Sequence, residues 1–323
     1  MRAAVCHAYG PPEGVGIEDI PVPTAGRGEA VVRVHAAALN YPDVLVVANA
    51  YQVAIPVPFT PGSEFAGVVS GVGEGVEGLA VGDRVFGTVM CGAFAEYAVA
   101  PASSLTLMPA GLDFRTAAAF QVVYLTAYHA LRSVAAVRPG EWVAVLGAAG
   151  GIGSAAVDVA HVLGGRVVAV ASSSDKLDLC RARGAEHAIG YDEIRPALRE
   201  LTGGGASVVI DPVGGPSSEQ ALRSMAWGGR FVTVGYASGE IPRIPLNLVL
   251  LKGVIVKGIE IRTFREHAPD DERRDRAELL ALLAEDRLRP HIGAIFPLPE
   301  VANALRHVAD RRALGKVIID TTA

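Results

Sequence analysis

Between residues 146 and 153 the chain reads Leu-Gly-Ala-Ala-Gly-Gly-Ile-Gly, directly after the apolar run Trp142-Val143-Ala144-Val145-Leu146 and directly before a helical stretch over 154–163. A glycine-rich turn between a strand and a helix offers two things to a phosphate. Its backbone has no Cβ to hold the ligand away, and the helix start presents unpaired N–H groups at the positive end of the dipole. Gly150 suits close approach and Gly153 suits tight packing of the helix on the strand, so the candidate cradle is Ala148, Ala149, Gly150, Gly151, Ile152 and Gly153. Ala148 stands where the GxGxxG pattern carries its first glycine. A structural turn would satisfy an isolated pattern of this kind; the strand–turn–helix–strand context points to a dinucleotide pyrophosphate.

The next strand decides which dinucleotide. An NAD site carries Asp or Glu at its tip to bind the ribose hydroxyls. Here Val167-Val168-Ala169-Val170-Ala171 runs into Ser172-Ser173-Ser174, with Lys176 beyond. Hydroxyls and an ammonium suit a 2′-phosphate, which a carboxylate would repel, so the expected cofactor is NADPH. Asp175 fits the first turn of the following helix instead. Of 29 Lys and Arg residues only four are lysine, which draws notice to Lys176, although a solvated helix lysine is its ordinary alternative.

These groups need a scaffold, and 323 residues suffice for two domains. The first third alternates short strand-like runs, such as Ala30-Val31-Val32-Arg33-Val34, with Gly- and Pro-rich turns, the pattern of a small β-barrel. After about residue 110 the style changes to β-branched runs separated by helices, which indicates an α/β domain with a doubly wound parallel sheet. Beyond 256 a charged helix over about 270–285, a helix over 300–311 and a last strand over 316–320 suggest a return to the first domain. The expected division is 1–122, 123–256 and 257–323. Half the residues are hydrophobic and the net charge is −5, which disfavours a nucleic-acid or membrane-surface binder. No apolar run has the length of a membrane span, and residues 1–7 lack the apolar core of a signal peptide. Three separated cysteines, Cys6, Cys91 and Cys180, form no disulfide framework and suit reduced thiols in the cytoplasm.

The segments Ala38-Leu39-Asn40-Tyr41-Pro42-Asp43, Pro61-Gly62-Ser63-Glu64-Phe65-Ala66-Gly67, Gly82-Asp83-Arg84-Val85, Thr126-Ala127-Tyr128-His129-Ala130-Leu131, the 148–153 turn and Gly315-Lys316-Val317 run nearly end to end. Together they resemble the medium-chain dehydrogenase/reductase superfamily, in its zinc-independent, zeta-crystallin-like quinone oxidoreductase branch. The resemblance implies a GroES-like β-barrel catalytic domain, built from both chain ends, with a Rossmann domain. It implies that Asn40 and Thr126 hold the nicotinamide end. Ser172, Ser173, Lys176 and Tyr191 would surround the 2′-phosphate, Arg262 would add a phosphate contact, and Val234, Gly235, Tyr236 and Ala237 would border the nicotinamide. It also implies a homodimer formed through an edge of the Rossmann sheet, a role that the apolar 244–256 segment suits.

Zinc-dependent members carry a cysteine near the Asn40 position and a histidine before the glutamate of a Gly-His-Glu motif; this chain has Asn40, and Ser63 before Glu64. The cysteine-rich lobe expected near residue 90 is absent, and zinc needs three or four converging ligands. No metal is expected. Without a Lewis acid, reversible alcohol oxidation loses its electrophile, and the expected chemistry is hydride delivery to a small hydrophobic electrophile. A quinone needs little beyond proximity. An enone or enoyl thioester also needs a proton donor, for which Tyr51 is the candidate; a hydrophobic wall residue is its equal alternative. A non-catalytic NADPH-binding protein is the remaining reading. Ala119-Phe120-Gln121-Val122 and Leu125 depart from the family pattern beside the nicotinamide, and the 48–58 loop lacks the basic residue that would favour a phosphorylated substrate.

Overall fold

The computed structural model describes residues 1–323 as two compact units, Met1–Val122 with Pro290–Ala323, and Val123–Arg289. The first unit is β-rich. A hairpin pairs β1 (Arg2–Cys6) with β2 (Val15–Asp19). The main sheet is built on β3 (Glu29–Leu39), flanked by β4 (Glu64–Val72) and by β15 (Lys316–Asp320), with β6 (Tyr97–Pro101) also paired to it. β5 (Arg84–Thr88) and β7 (Leu105–Leu107) extend the sheet on one side, and β14 (Ile292–Pro297) beside β15 extends it on the other. The eleven residues of β3 are long enough to serve two sets of partners, and their small or branched side chains (Ala30, Val32, Val34, Ala37, Leu39) point into one core. The register brings the end of β3 beside the starts of β4 and β15: Ala38 pairs with Glu64, and Leu39 with Val317.

The second unit carries a six-stranded sheet whose pairs are all parallel: β8 (Trp142–Leu146), β9 (Arg166–Val170), β10 (His187–Ile189), β11 (Ala206–Asp211), β12 (Met225–Thr233) and β13 (Ile255–Gly258). Their spatial order is β10-β9-β8-β11-β12-β13. Counted within the unit this is 3-2-1-4-5-6, the Rossmann order, in which the chain changes winding direction between β8 and β11. Ligands of such sheets bind beyond the carboxyl ends of the strands at that switch point. The fold is therefore α/β, a GroES-like domain with a Rossmann domain.

The expected return at residue 257 is corrected to Pro290. β13 completes the parallel sheet, and the charged helix Pro269–Ala284 stays with the second unit because its acids are not all solvated. Asp275 is fully buried and accepts from His129 Nδ1 at 2.8 Å and Ser133 Oγ at 2.5 Å, while Glu278 accepts from the Tyr128 hydroxyl at 2.8 Å. A charge taken out of water requires partners of this kind, and they hold the helix in place. The helix Pro216–Arg223 ends at Arg223, and Met225 already begins β12.

Candidate functional site

Gly147 leaves the end of β8 at φ +57°, a conformation that favours glycine, and its N–H donates to the Tyr191 hydroxyl at 3.0 Å. Ala148 needs no such freedom. It is not a positive-φ residue, and its N–H bonds to Val170 O at 3.0 Å, so alanine fits where the pattern has glycine. Gly150 caps the helix Gly151–Val162 in an extended conformation, and a Cβ placed there would meet only Gly147 O, at 3.4 Å. A Cβ on Gly153 would lie 2.1 Å from Gly147 O and 2.7 Å from Ala148 Cα. Gly153 thus lets the helix start sit directly on the turn, and Gly150 lines the side left open.

The tip of β9 lies next to this turn in the sheet. A cavity of about 370 Å³ is lined by Ser172, Ser173, Ser174, Leu177, Tyr191 and Asp192, with Ala171 and Gly190. Lys176 reaches back one helical turn, its Nζ 3.4 Å from Ser172 Oγ. Tyr191 has two duties: it lines the cavity, and its hydroxyl anchors the Gly147 N–H. Asp192 lies on the same wall. Arg262 does not line the cavity; it is the second residue of the helix Ile261–His267, and its Nε donates to Glu260 at 3.1 Å.

Sequence reasoning missed the loop after β11. Asp211 is fully buried, and its Oδ1 accepts the N–H groups of Val213 (2.8 Å) and Gly214 (2.9 Å), while Oδ2 accepts from Ser218 Oγ at 2.5 Å. Its carbonyl takes the N–H of Val234 at 2.8 Å, Pro212 O takes that of Ala237 at 3.1 Å, and Val213 O takes that of Ser238 at 2.8 Å. One aspartate therefore fixes both the 212–215 loop, where Val213 crowds Gly147, and the 234–237 segment that includes Gly235 and Tyr236. The signal in sequence was Asp211-Pro212-Val213-Gly214-Gly215, which reads as an ordinary turn.

In the first unit, Asn40, Glu64 and Lys316 meet at one end of the sheet, all less than a tenth exposed. Lys316 Nζ donates to Asn40 Oδ1 at 2.6 Å, Glu64 Oε2 at 3.0 Å and Leu39 O at 3.2 Å. Asn40 Nδ2 donates to Glu64 Oε2 at 3.1 Å, and the Val122 N–H donates to Glu64 Oε1 at 2.7 Å. Beside them the buried Asp43 accepts the Asn40 N–H at 2.7 Å; burial pushes its carboxyl up to about 6. Burial, with the Asp43 charge nearby, also raises the Cys91 thiol. Tyr51 packs half-buried against the core of this unit, in a loop fastened by the Tyr9 hydroxyl on Ile55 O at 2.5 Å. Thr126 belongs to the second unit, buried in the helix Gln121–Tyr128.

Two family models match, "Alcohol dehydrogenase GroES-like domain" over residues 26–110 and "Zinc-binding dehydrogenase" over 151–284. Quinone oxidoreductase-like protein 2 of Bos taurus is 38% identical over 98% of this chain and 92% of its own length. The chain belongs to the medium-chain dehydrogenase/reductase family. Within the family it is quinone oxidoreductase-like. The quinone oxidoreductase of Thermus thermophilus, described with its NADPH complex, superposes with a TM-score of 0.87 at 37% identity, covering 99% of this chain and all of that one. A structure described as an NAD-dependent alcohol dehydrogenase reaches 0.91 at 32% identity, covering 99% and 100%. Although one matching family model is named for zinc, this member brings no three His, Cys, Asp or Glu side chains together in a metal-holding group. Nor does any helix have the length and apolarity to cross a membrane.

Proposed function

We propose that this chain is an NADPH-dependent, zinc-independent reductase whose acceptor is a quinone. The observation that carries the cofactor choice is the tip of β9: two serines and Lys176 stand where an NAD enzyme carries an acid. Ala148, Ala149, Gly150, Gly151, Ile152 and Gly153 would take the pyrophosphate on the helix start, with Ser172, Ser173, Lys176 and Tyr191 around the 2′-phosphate and Arg262 as an outer contact. Val234, Gly235, Tyr236, Ala237, Thr126 and Asn40 would border the nicotinamide. The bound dinucleotide supplies a hydride. The residues around it would orient its ring and exclude water, and Tyr51 would hold a proton where the acceptor is an enone.

The zinc-independent reading rests on the donor set. An amide and a hydroxyl, Asn40 and Ser63, are poor zinc ligands, and the Asn40 oxygen already takes a bond from an ammonium. The quinone reading rests on relatives that carry that name and on chemistry that asks for orientation more than for an electrophile. Three unpaired thiols suit the cytoplasm. Homodimerisation is supported by the sheet edge, where every residue of β13 is exposed beside Trp227, Leu246, Leu250 and Leu251.

The test is an NADPH-oxidation screen over quinones, alkenals and enoyl thioesters. Turnover with quinones, and a Lys176→Ala variant whose KM for NADPH rises about tenfold or more while that for NADH stays put, is the expected result. Equal changes for the two cofactors would refute the 2′-phosphate assignment.

A further inference from the structure

The contacts of Asn40 fix its amide by chemistry alone. An ammonium can only donate and a carboxylate can only accept, so Oδ1 must face Lys316 and Nδ2 must face Glu64. The two neighbours are themselves engaged. The three Nζ hydrogens of Lys316 go to Leu39 O, Asn40 Oδ1 and Glu64 Oε2, and both Glu64 oxygens are taken, one by Val122 N–H and the other by Lys316 and Asn40. With Lys316 2% and Glu64 1% exposed, water does not compete for these bonds. Turning the amide over would set N–H against ammonium and carbonyl against carboxylate, two repulsions in a site of low dielectric.

We propose that Lys316 and Glu64 are positioning residues that lock the Asn40 amide and make its second Nδ2 hydrogen the donor it offers to a ligand oxygen. The inference rests on the reading of Asn40 as a residue that faces nicotinamide or acceptor, and it adds the sense of that contact. Asn40 gives a hydrogen bond where a freely turning amide would give or take one. The Lys316 charge on Oδ1 also draws density from the amide and strengthens that donor, as along any chain of charge-assisted bonds. The three residues come from three separate strand ends, so the lock needs the full chain.

The experiment joins a structural and a kinetic reading. In ¹⁵N-labelled protein the Asn40 side-chain N–H pair, identified by its loss in Asn40→Asp, should show two well-separated hydrogens. The double variant Lys316→Met/Glu64→Gln removes both charges of the pair together, so neither partner is left as a lone buried ion facing Asn40. In it the two signals should move together. Kinetically, Asn40→Asp, which keeps the size and loses the donor, and the double variant should each lower kcat by about tenfold or more with NADPH affinity nearly kept. The triple variant should be no slower than Asn40→Asp alone. An unchanged Asn40 pair in the double variant, or losses that multiply in the triple, would overturn the proposal. If the wild-type protein reduces no acceptor, the functional reading fails, and the Asn40 signals alone decide the lock.

Discussion

Two glycines three residues apart in the 146–153 turn should fail in different ways when each gains one methyl group. A Cβ on Gly153 would lie about 1.3 Å inside the ordinary contact distance to Gly147 O, and it would also strike the Ala148 backbone. No flexible side chain is there to yield, so the helix Gly151–Val162 must move off the turn. Overpacking of this kind costs about 1–3 kcal/mol. A shift near 1 Å in the phosphate-facing N–H groups would also break charge-assisted bonds to the phosphate, each worth about 1.5–3 kcal/mol. Gly150 is a different case. Its φ of −80° suits alanine, and its Cβ would make only a 3.4 Å contact, so Gly150→Ala should change stability by less than about 0.5 kcal/mol. The methyl would nevertheless stand on the surface that a pyrophosphate must approach. Thermal denaturation and NADPH fluorescence titration separate the two. Gly153→Ala should melt earlier and bind weakly; Gly150→Ala should melt like wild type and lose about tenfold or more in affinity. A Gly150→Ala protein that binds NADPH normally would refute the assignment of this turn to the pyrophosphate.

Burial lifts the Asp43 carboxyl from 3.8 to about 6, so the folded protein keeps a proton there that the unfolded chain has released. The stability this proton gives is full below pH 3.8 and is lost as pH rises towards 6, a change of about 3 kcal/mol over roughly two pH units. Urea titrations should therefore find Asp43→Asn gaining on wild type by that order between pH 4 and 7, and a flat difference would contradict the burial argument. Tyr51→Phe should slow enone reduction while sparing quinone reduction; retention of both would leave Tyr51 a wall residue. Leu250→Glu with Ile255→Lys should convert a dimer to monomer in light scattering, and an unchanged mass would move the interface away from β13.

What could be read from the sequence is what local chemistry dictates. A phosphate cradle needs glycines next to one another, and the serines at the tip of β9 follow the turn at a fixed strand-and-helix interval, so both are visible in one dimension. Tertiary partnerships are not. Asp275 reads as one more solvated acid in a charged helix, but its bonds to Ser133 and to His129, 146 residues away, with that of Glu278 to Tyr128, hold this helix to the second unit. The role of Asp211 is hidden for a related reason: it comes from the parallel register of β11 with β8 and β12, which brings the 212–215 loop against Gly147 and the 234–237 segment. The family resemblance implies a phosphate contact for Tyr191, and its bond to the Gly147 N–H is a second role that no spacing announces.

Lys316 gives the return of the chain to its first unit a chemical as well as an architectural purpose. As a strand between β14 and β3, β15 could be any apolar segment, and three of its five residues would pass as such: Val317, Ile318 and Ile319 pack in the sheet, while Asp320 takes the Arg115 guanidinium at 2.5 Å. The first residue is different in kind. Glu64 is buried at the start of β4 with a carboxylate that needs a cation, and no other Lys or Arg forms an ion pair with it. A charge buried without a partner costs several kcal/mol, so Glu64 could not be kept in this position unless the far end of the chain supplied an ammonium. Once Glu64 and Lys316 are both present, the amide of Asn40 between them has one orientation. The long-range return, the buried ion pair and the sense of the Asn40 contact are therefore a single device: removing any one of the three leaves the other two without a reason.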